Sequence, residues 1–155
     1  MMINVAKFTK DNVLLVKISG TIEEGVDFNL VIGPTPNEII ISCKDIQRIN
    51  SAGVKLWIQY FQKLTAKGTK IRFIECSPAI VEQINLIVNF SCGAKIESIY
   101  VPYACSSCRA QFVSLFNVED LKKIYKQLPE PACPKCKGKT IFDDIEDEYF
   151  EFLTR

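Results

Sequence analysis

The chain has 155 residues, of which 48% are apolar and 24% charged, and its formal net charge is +1. These values are typical of a soluble globular protein, and the length suits one domain, or one domain of about 100 residues with a small appendage. A charge so close to zero gives no general attraction to nucleic acid or to acidic membranes. No apolar run approaches the ~20 residues of a membrane helix. Residues 1–17 lack the pattern of a secretory signal, so we expect a cytoplasmic protein without membrane insertion.

The contents of histidine and cysteine narrow the chemistry. The chain has no histidine, which removes the commonest general base and most hydrolase triads. It also shows no phosphate-binding glycine loop and no paired-carboxylate motif, so the sequence predicts a protein that is not an enzyme. Its seven cysteines, in a reducing compartment, favour core residues or metal ligands over disulfides. Cys43, Cys76 and Cys92 stand alone beside apolar runs and are predicted to be inert core thiols.

The first two thirds of the chain predict strands that alternate with helices. Two β-rich runs, residues 2–8 and 13–19, flank a polar turn at residues 10–12 and indicate a hairpin. Residues 38–43 form a short apolar run that is typical of a strand buried on both faces. Further strands are predicted over residues 70–76 and 95–100. Strands and helices in this order predict an α/β fold with helices packed on a mixed sheet.

Two amphipathic helices are predicted between these strands. The first spans residues 51–67, with Gly68 as its C-terminal cap, and its predicted buried stripe is Val54, Trp57, Ile58, Phe61 and Leu64. The second begins with Ser77 as N-cap and Pro78 at the first helical position. Its predicted buried stripe is Ile80, Val81, Ile84, Ile87 and Val88.

The turn before the first helix carries a motif. Residues 49–54 read Ile-Asn-Ser-Ala-Gly-Val, directly ahead of the helix that contains Trp57. A strand, a turn of the form Asp-Ser-Ser/Thr-Gly and an amphipathic helix resemble the STAS family, which includes anti-sigma factor antagonists, and the resemblance covers about residues 2–100. It implies a STAS-like fold that docks a protein partner, such as an anti-sigma-type kinase or another regulator.

The motif departs from the family pattern at two positions. Asn50 replaces the aspartate, and Ala52 lies where the family's phosphate-accepting hydroxyl is expected, so constitutive docking is favoured over a phosphorylation switch, with Ser51 as the alternative acceptor. The predicted docking residues are Asn50, Ser51, Ala52, Gly53 and Lys55. A purely structural interpretation stays open, because Asn50 and Ser51 are good N-cap residues and Gly53 permits close approach of the backbone.

Four cysteines after residue 101 form the strongest chemical signal. Two Cys-x-x-Cys pairs, separated by 24 residues, contain Cys105, Cys108, Cys133 and Cys136. Four thiolates suit tetrahedral zinc and leave no open position, which predicts a structural zinc site, with iron as the alternative metal. Two disulfides, or a redox pair, are the less favoured interpretations. Gly138 matches the glycine of such zinc-ribbon knuckles, where it is expected to ease the turn of the backbone.

The predicted organisation is a STAS-like domain over residues 1–101 and a zinc-ribbon module over residues 102–155. Within the module, a helix is predicted over residues 119–128, with Asn117 near its start. The residues expected to pack beneath the metal are Phe112, Val113, Leu115 and Phe116. The residues expected to dock a C-terminal helix on the core are Tyr149, Phe150 and Leu153.

The resulting prediction is a protein-interaction module in regulation, similar to anti-sigma factor antagonists. Nucleic-acid binding through the ribbon is the first alternative, since six lysines cluster there: Lys122, Lys123, Lys126, Lys135, Lys137 and Lys139. The acidic run at residues 143–151 opposes it. An adaptor role in a phospholipid transport machine is the second alternative, because the STAS family includes such subunits and Ala52 is compatible with it.

Overall fold

The computed structural model describes residues 3–155. Its main sheet has five strands, in the spatial order β1 to β5, and the first pairs antiparallel while all others pair in parallel. The strands are β1 Ile3–Lys10, β2 Val13–Ile22, β3 Glu38–Ile49, β4 Lys70–Ile74 and β5 Lys95–Ile96. Three helices accompany this sheet: α1 Phe28–Ile32, α2 Ser51–Ala66 and α3 Pro78–Leu86. The predicted α/β class is confirmed.

The C-terminal part adds a smaller antiparallel sheet of three strands, in the order β7-β6-β8. Its strands are β6 Ser98–Cys105, β7 Gln111–Asn117 and β8 Thr140–Phe142. Its helical elements are α4 Val118–Ile124, α5 Glu146–Tyr149 and a 3₁₀ turn, Glu151–Thr154. Among residues 3–155, no helix is both long enough and apolar enough to cross a membrane.

The predicted N-terminal hairpin is confirmed, although Met2, its predicted first residue, lies outside the described residues. The connecting loop has two residues, Asp11 and Asn12, with φ of 52° and 64°, and it joins Lys10 to its pairing partner Val13. Two consecutive residues with positive φ match the right-handed twist of antiparallel strands, and Asn and Asp tolerate this conformation well.

Strand β3 is six residues longer than the predicted strand at residues 38–43. Beyond Ser42 it is no longer paired with β4, and it continues beside β2 alone, with Asp45 opposite Ser19 and Arg48 opposite Thr21. A strand with one neighbour is accessible to solvent along its free edge. Its residues are therefore mostly polar there, so this half of β3 contains no apolar run from which a strand could be predicted.

Aromatic side chains of α2 form the centre of the main core. The Trp57 ring stacks on Phe90 at a centroid distance of 5.0 Å and on Phe73 at 5.3 Å, and its indole N–H donates to the Phe90 carbonyl at 3.2 Å. The predicted stripe is confirmed except at Ile58, which is half-buried. Tyr60 is buried instead, because Phe28 of α1 lies against it at a centroid distance of 5.6 Å.

Helix α3 begins at Pro78, as predicted, but its N-cap works differently. The Ser77 hydroxyl donates to the Ile46 carbonyl of β3 at 2.6 Å and makes no capping hydrogen bond. The predicted stripe is wrong at its C-terminal end, where Ile87 is half-buried and Val88 is 80% exposed. The reason is that the helix ends at Leu86 and the helical periodicity stops with it.

The strand predicted over residues 95–100 is divided between the two sheets. Residues 95–96 pair with β4, whereas β6 turns into the smaller sheet, and a single bridge between Cys76 and Ile99 connects the two. The predicted domain boundary, between residues 101 and 102, falls inside β6. A division of the chain into two domains stays a prediction.

The tail packs on the core, as predicted. Tyr149, Phe150 and Leu153 are buried, and Phe150 stacks on Phe142 at 5.3 Å. Helix α4 begins after Asn117 as predicted but ends at Ile124, four residues early.

The packing predicted for β7 is wrong at two of the four residues named for it. Phe112 and Phe116 are half-buried, whereas Val113 and Leu115 are 46% and 48% exposed. Successive side chains of a strand point to opposite faces, so four residues of one strand cannot all lie beneath the same site.

The three isolated cysteines differ in burial. Cys43 and Cys76 are fully buried, as predicted for core thiols, and Cys92 is half-buried. No disulfide joins any of the described cysteines.

Candidate metal centre and docking turn

Two matching backbone turns present the four predicted metal ligands. In the first, the Arg109 N–H donates to the Cys105 carbonyl at 3.1 Å, and the Cys105 N–H donates to the Ala110 carbonyl at 2.8 Å. In the second, the corresponding bonds link Lys137 to Cys133 at 2.8 Å and Cys133 to Gly138 at 3.0 Å. The two knuckles therefore repeat one geometry, in which each Cys-x-x-Cys pair directs its sulfurs to the same side.

The four sulfur atoms lie together at the end of the smaller sheet. All lie within 4.8 Å of one another. The Sγ atoms of Cys105 and Cys136 are 3.5 Å apart, and those of Cys108 and Cys133 are 3.7 Å apart. Regular tetrahedral coordination with zinc–sulfur bonds of ~2.3 Å separates sulfurs by about 3.8 Å. The sulfur quartet therefore has the dimensions that a tetrahedral metal ion needs.

Backbone N–H groups surround the sulfurs and favour thiolates. The N–H groups of Cys108 and Ser107 donate to Cys105 Sγ at 3.4 and 3.3 Å and lower the pKa of that thiol to about 6. The backbone N–H groups of Cys136 and Lys135 lower the pKa of Cys133 in the same way. Hydrogen bonds to sulfur stabilise its charged form, which is the form that binds metals.

The fourth thiol shows why a cation suits this cluster. The Gly138 N–H has the largest single influence on Cys136 and lowers its pKa, but the neighbouring thiols of Cys105 and Cys108 outweigh it and raise the pKa to about 11. Adjacent thiolates repel one another unless a positive charge lies between them. A divalent cation would supply that charge and replace the protons.

Gly138 is closely packed against the side chains of this site. A Cβ there would lie 2.9 Å from Ser107 Oγ and 3.1 Å from Cys136 Sγ. From the sequence, Gly138 is expected to ease a turn of the backbone. The residue with the left-handed backbone is instead Lys137, which has a φ of 60°. Arg109 has a φ of 65° at the matching position of the first knuckle. Their shared offset from the second cysteine of each pair is the sequence signal that could have identified them.

The predicted docking residues lie where β3 leads into α2. Asn50 is the N-cap, and its side-chain oxygen accepts the Gly53 N–H at 2.8 Å. The Asn50 N–H donates to the Ile22 carbonyl at 3.1 Å, which ties the turn to β2. Ser51 is the first helical residue and takes no part in capping, so the capping role belongs to Asn50 alone.

Gly53 fixes the start of α2 against β2. A Cβ at this position would lie 2.3 Å from the Ile22 carbonyl oxygen, far inside van der Waals contact. Gly53 is buried and Ala52 is half-buried, whereas Ser51 and Lys55 are exposed. Ser51 and Lys55 are separated by four positions and share one face of the helix. The turn therefore presents two polar side chains on a rigid base.

Comparisons with known proteins do not assign this chain to a family. No protein-family model matches the chain, and no curated protein matches it. A solved structure of an anti-sigma factor antagonist from Mycobacterium paratuberculosis is similar over 60% of this chain and 85% of that chain, at 21% sequence identity and a TM-score of 0.49. Similarity at this level does not establish membership of a family.

Proposed function

We propose that this chain is a non-enzymatic regulatory protein of the anti-sigma factor antagonist type. It docks a protein partner through the surface formed by the turn at residues 50–53 and the adjoining Lys55, which we call the docking turn. The observation that carries this proposal is the exposure of Ser51 and Lys55 on a helix start fixed from beneath by Gly53. A preorganised surface binds without first losing conformational freedom.

Docking is expected to be constitutive. Ala52, at the acceptor position of the family pattern, has no hydroxyl, and its side chain is half-buried. Ser51 is the alternative acceptor, since it is exposed at the N-terminus of a 16-residue helix, where added negative charge would be stabilised.

The test is affinity capture of the tagged full-length chain from its native cells. The double variant Ser51→Arg, Lys55→Glu disrupts the docking turn, and Lys63→Glu, an exposed residue of the same helix, is the matched control. A kinase or another regulator recovered with wild type and control, but absent with the double variant, is the expected result. Equal recovery by all three proteins contradicts docking at this turn, and recovery of a membrane ATPase complex would favour the transport alternative.

We propose further that the sulfur quartet holds a structural zinc ion, with iron as the alternative. Four protein thiolates complete a tetrahedral shell and leave no position for a substrate, so Cys105, Cys108, Cys133 and Cys136 would join the two knuckles and anchor β8 to β6. The support for this proposal is the spacing of the sulfur atoms and the N–H groups around them.

Elemental analysis of freshly purified protein tests the metal proposal. We expect about one equivalent of zinc per chain, lost in Cys133→Ser and kept in Cys92→Ser, which lies outside the quartet. Iron in place of zinc would support the alternative. Less than about half an equivalent of either metal contradicts the site.

Nucleic-acid binding is a second candidate, because four exposed cations flank the knuckles: Arg109, Lys135, Lys137 and Lys139. A mobility-shift assay at low salt with mixed DNA and RNA tests it. Absence of retardation removes this candidate, since phosphate contacts are strongest at low salt.

A further inference from the structure

A cleft lies between α3 and the C-terminal segment, and neither the docking turn nor the sulfur quartet lines it. Its volume is about 600 Å³. One wall is a stripe of α3, and the other consists of α5 with its flanking residues. The lining residues that matter here are Glu82 and Leu86 on α3, and Asp144, Asp147 and Glu148 opposite them. We call this cleft the acidic groove.

The walls of the acidic groove carry negative charge without counter-ions. Among residues 3–155, no ion pair involves Glu82, Asp144, Asp147 or Glu148, whereas Glu151 at one end pairs with Arg155 at 2.7 Å. The chain as a whole has a net charge of +1. The negative potential is therefore local, and it attracts a cationic group to this cleft in preference to the rest of the surface.

The floor of the groove is apolar. Pro78 and Ala79 line it at the start of α3, and Leu86 lies at the far end with 69% of its surface exposed. These residues share one face of α3 with Glu82, at spacings of three and four residues from it, so this face has apolar surface on either side of one carboxylate. Apolar residues bordered by carboxylates are complementary to a segment that is apolar on one side and basic on its flanks.

The groove is held open by hydrogen bonds between its walls. The Asn85 amide donates to the Tyr149 carbonyl at 2.8 Å, and its oxygen accepts the Phe152 N–H at 2.9 Å. The Arg155 guanidinium donates to the carbonyls of Ile84 and Asn85 at 3.0 and 2.8 Å. A groove with fixed walls requires little reorganisation when a partner binds.

We propose that the acidic groove docks a basic amphipathic helix of a partner protein. Its apolar residues would cover the stripe that ends at Leu86, while lysine or arginine side chains would reach Glu82 on one wall and Glu148 on the other. Asp147 and Glu148 lie on α5, Asp144 precedes it and Glu151 begins the 3₁₀ turn after it, so carboxylates extend along the whole of this wall.

A second copy of the chain is the weaker occupant. Its helix with the highest net charge, α2, carries Lys55 and Lys63 and no acidic residue, but the apolar stripe of that helix, which contains Trp57 and Phe61, is buried in its own core. It therefore offers charge without an apolar face.

The groove proposal does not depend on the docking turn. Ala79 and Glu82 also border the neighbouring cleft beside Asn50, so one partner could contact both surfaces.

The probe is a fluorescein-labelled helical peptide of ~18 residues, or five turns, with leucine at core spacing and lysine on both flanks. Its binding to the full chain is measured by anisotropy at two salt concentrations. We expect Glu82→Lys, Glu148→Lys to weaken binding about tenfold or more and Leu86→Ser about fivefold. The matched control Glu24→Lys, Asp45→Lys makes the same charge change at exposed residues outside the groove and should stay within about twofold.

Three outcomes would overturn the proposal. Equal binding of the peptide by the groove variant and the control would show that the peptide is attracted to the chain non-specifically and not to the groove. Equal binding of a peptide with glutamate in place of lysine would remove charge complementarity. Salt-sensitive self-association of the chain alone, abolished by the groove variant, would assign the groove to a second copy.

All substituted residues are exposed, and matching circular dichroism spectra would show that folding is intact. Neither Ser51 nor Lys55 lines the groove, so failure of the docking turn and failure of the groove are separate results.

Discussion

Residues 3–96 bury large aromatic side chains between a sheet and three helices, whereas residues 98–155 surround a smaller core with cross-connections. In the first part, the Trp57 ring contacts Phe61, Phe73 and Phe90 within a stack of buried rings. In the second part, the four thiols lie close together at the end of short strands, and the tail is hydrogen-bonded to β6 and to α3. Small units bury too little apolar surface for independent stability, so the proposed metal would replace part of the missing core.

The two parts are nevertheless joined. Ile99 and Val101 of β6 belong to the same apolar cluster as the side chains of the main sheet, and the Tyr149 hydroxyl donates to the Tyr100 carbonyl at 2.5 Å. The two parts therefore differ in how they gain stability, and four experiments test this difference.

Loss of the metal should have the largest effect. Structural zinc sites contribute on the order of 10 kcal/mol to folding, so chelation or Cys133→Ser should unfold residues 98–155 while the main sheet persists. Amide chemical shifts measured with and without chelator would show this, with Cys92→Ser as the control. If both parts lost their shifts together, the contrast between them would be wrong.

The change Gly53→Ala should have the largest effect within the first part. Its Cβ would meet the Ile22 carbonyl oxygen at 2.3 Å, and neither backbone segment can move without breaking the Asn50 cap, so we expect a loss of about 3 kcal/mol in the free energy of unfolding by urea. Ser51→Ala, next to it but exposed, should change stability by less than about 0.5 kcal/mol. Equal stabilities would contradict the close contact.

Tyr149→Phe tests the hydrogen bond between the tail and β6. Burial, the largest cause, and the charge of Asp144 raise the pKa of Tyr149, so the hydroxyl stays a donor at neutral pH. Its removal leaves the Tyr100 carbonyl without this donor and should cost about 1 kcal/mol. Thermal unfolding of the metal-loaded protein measures this, and an unchanged midpoint would show that the bond contributes nothing.

Tyr60→Phe is the matched change in the first part and should have the smallest effect. The Tyr60 hydroxyl is buried and, among residues 3–155, has no hydrogen-bond partner, so its removal should be neutral or slightly stabilising, within about 1 kcal/mol. Burial raises the pKa of Tyr60 from 10 to about 12. The unfolded state therefore ionises first as pH rises above 10, and wild type should lose stability there faster than the variant. A clear destabilisation at neutral pH would indicate an unrecognised partner.

The elements that have a local signal could be predicted from the sequence alone. The stripe that contains Trp57 and Phe61 predicted α2, and the turn at Asp11 and Asn12 predicted the hairpin, because periodicity and turn chemistry depend on neighbouring residues alone. The two Cys-x-x-Cys pairs likewise named the four thiols that the fold brings within 4.8 Å.

Features that depend on distant parts of the chain could not be predicted from the sequence and are apparent only in the tertiary structure. Helix α1 has five residues, too few for a periodic pattern, and its position is set by packing against α2. The polar half of β3 is a strand because β2 pairs with it. The acidic groove exists because Asn85 binds the tail more than sixty residues later. Contacts between residues so far apart in sequence leave no pattern among neighbouring residues, because the partners meet only when the chain folds.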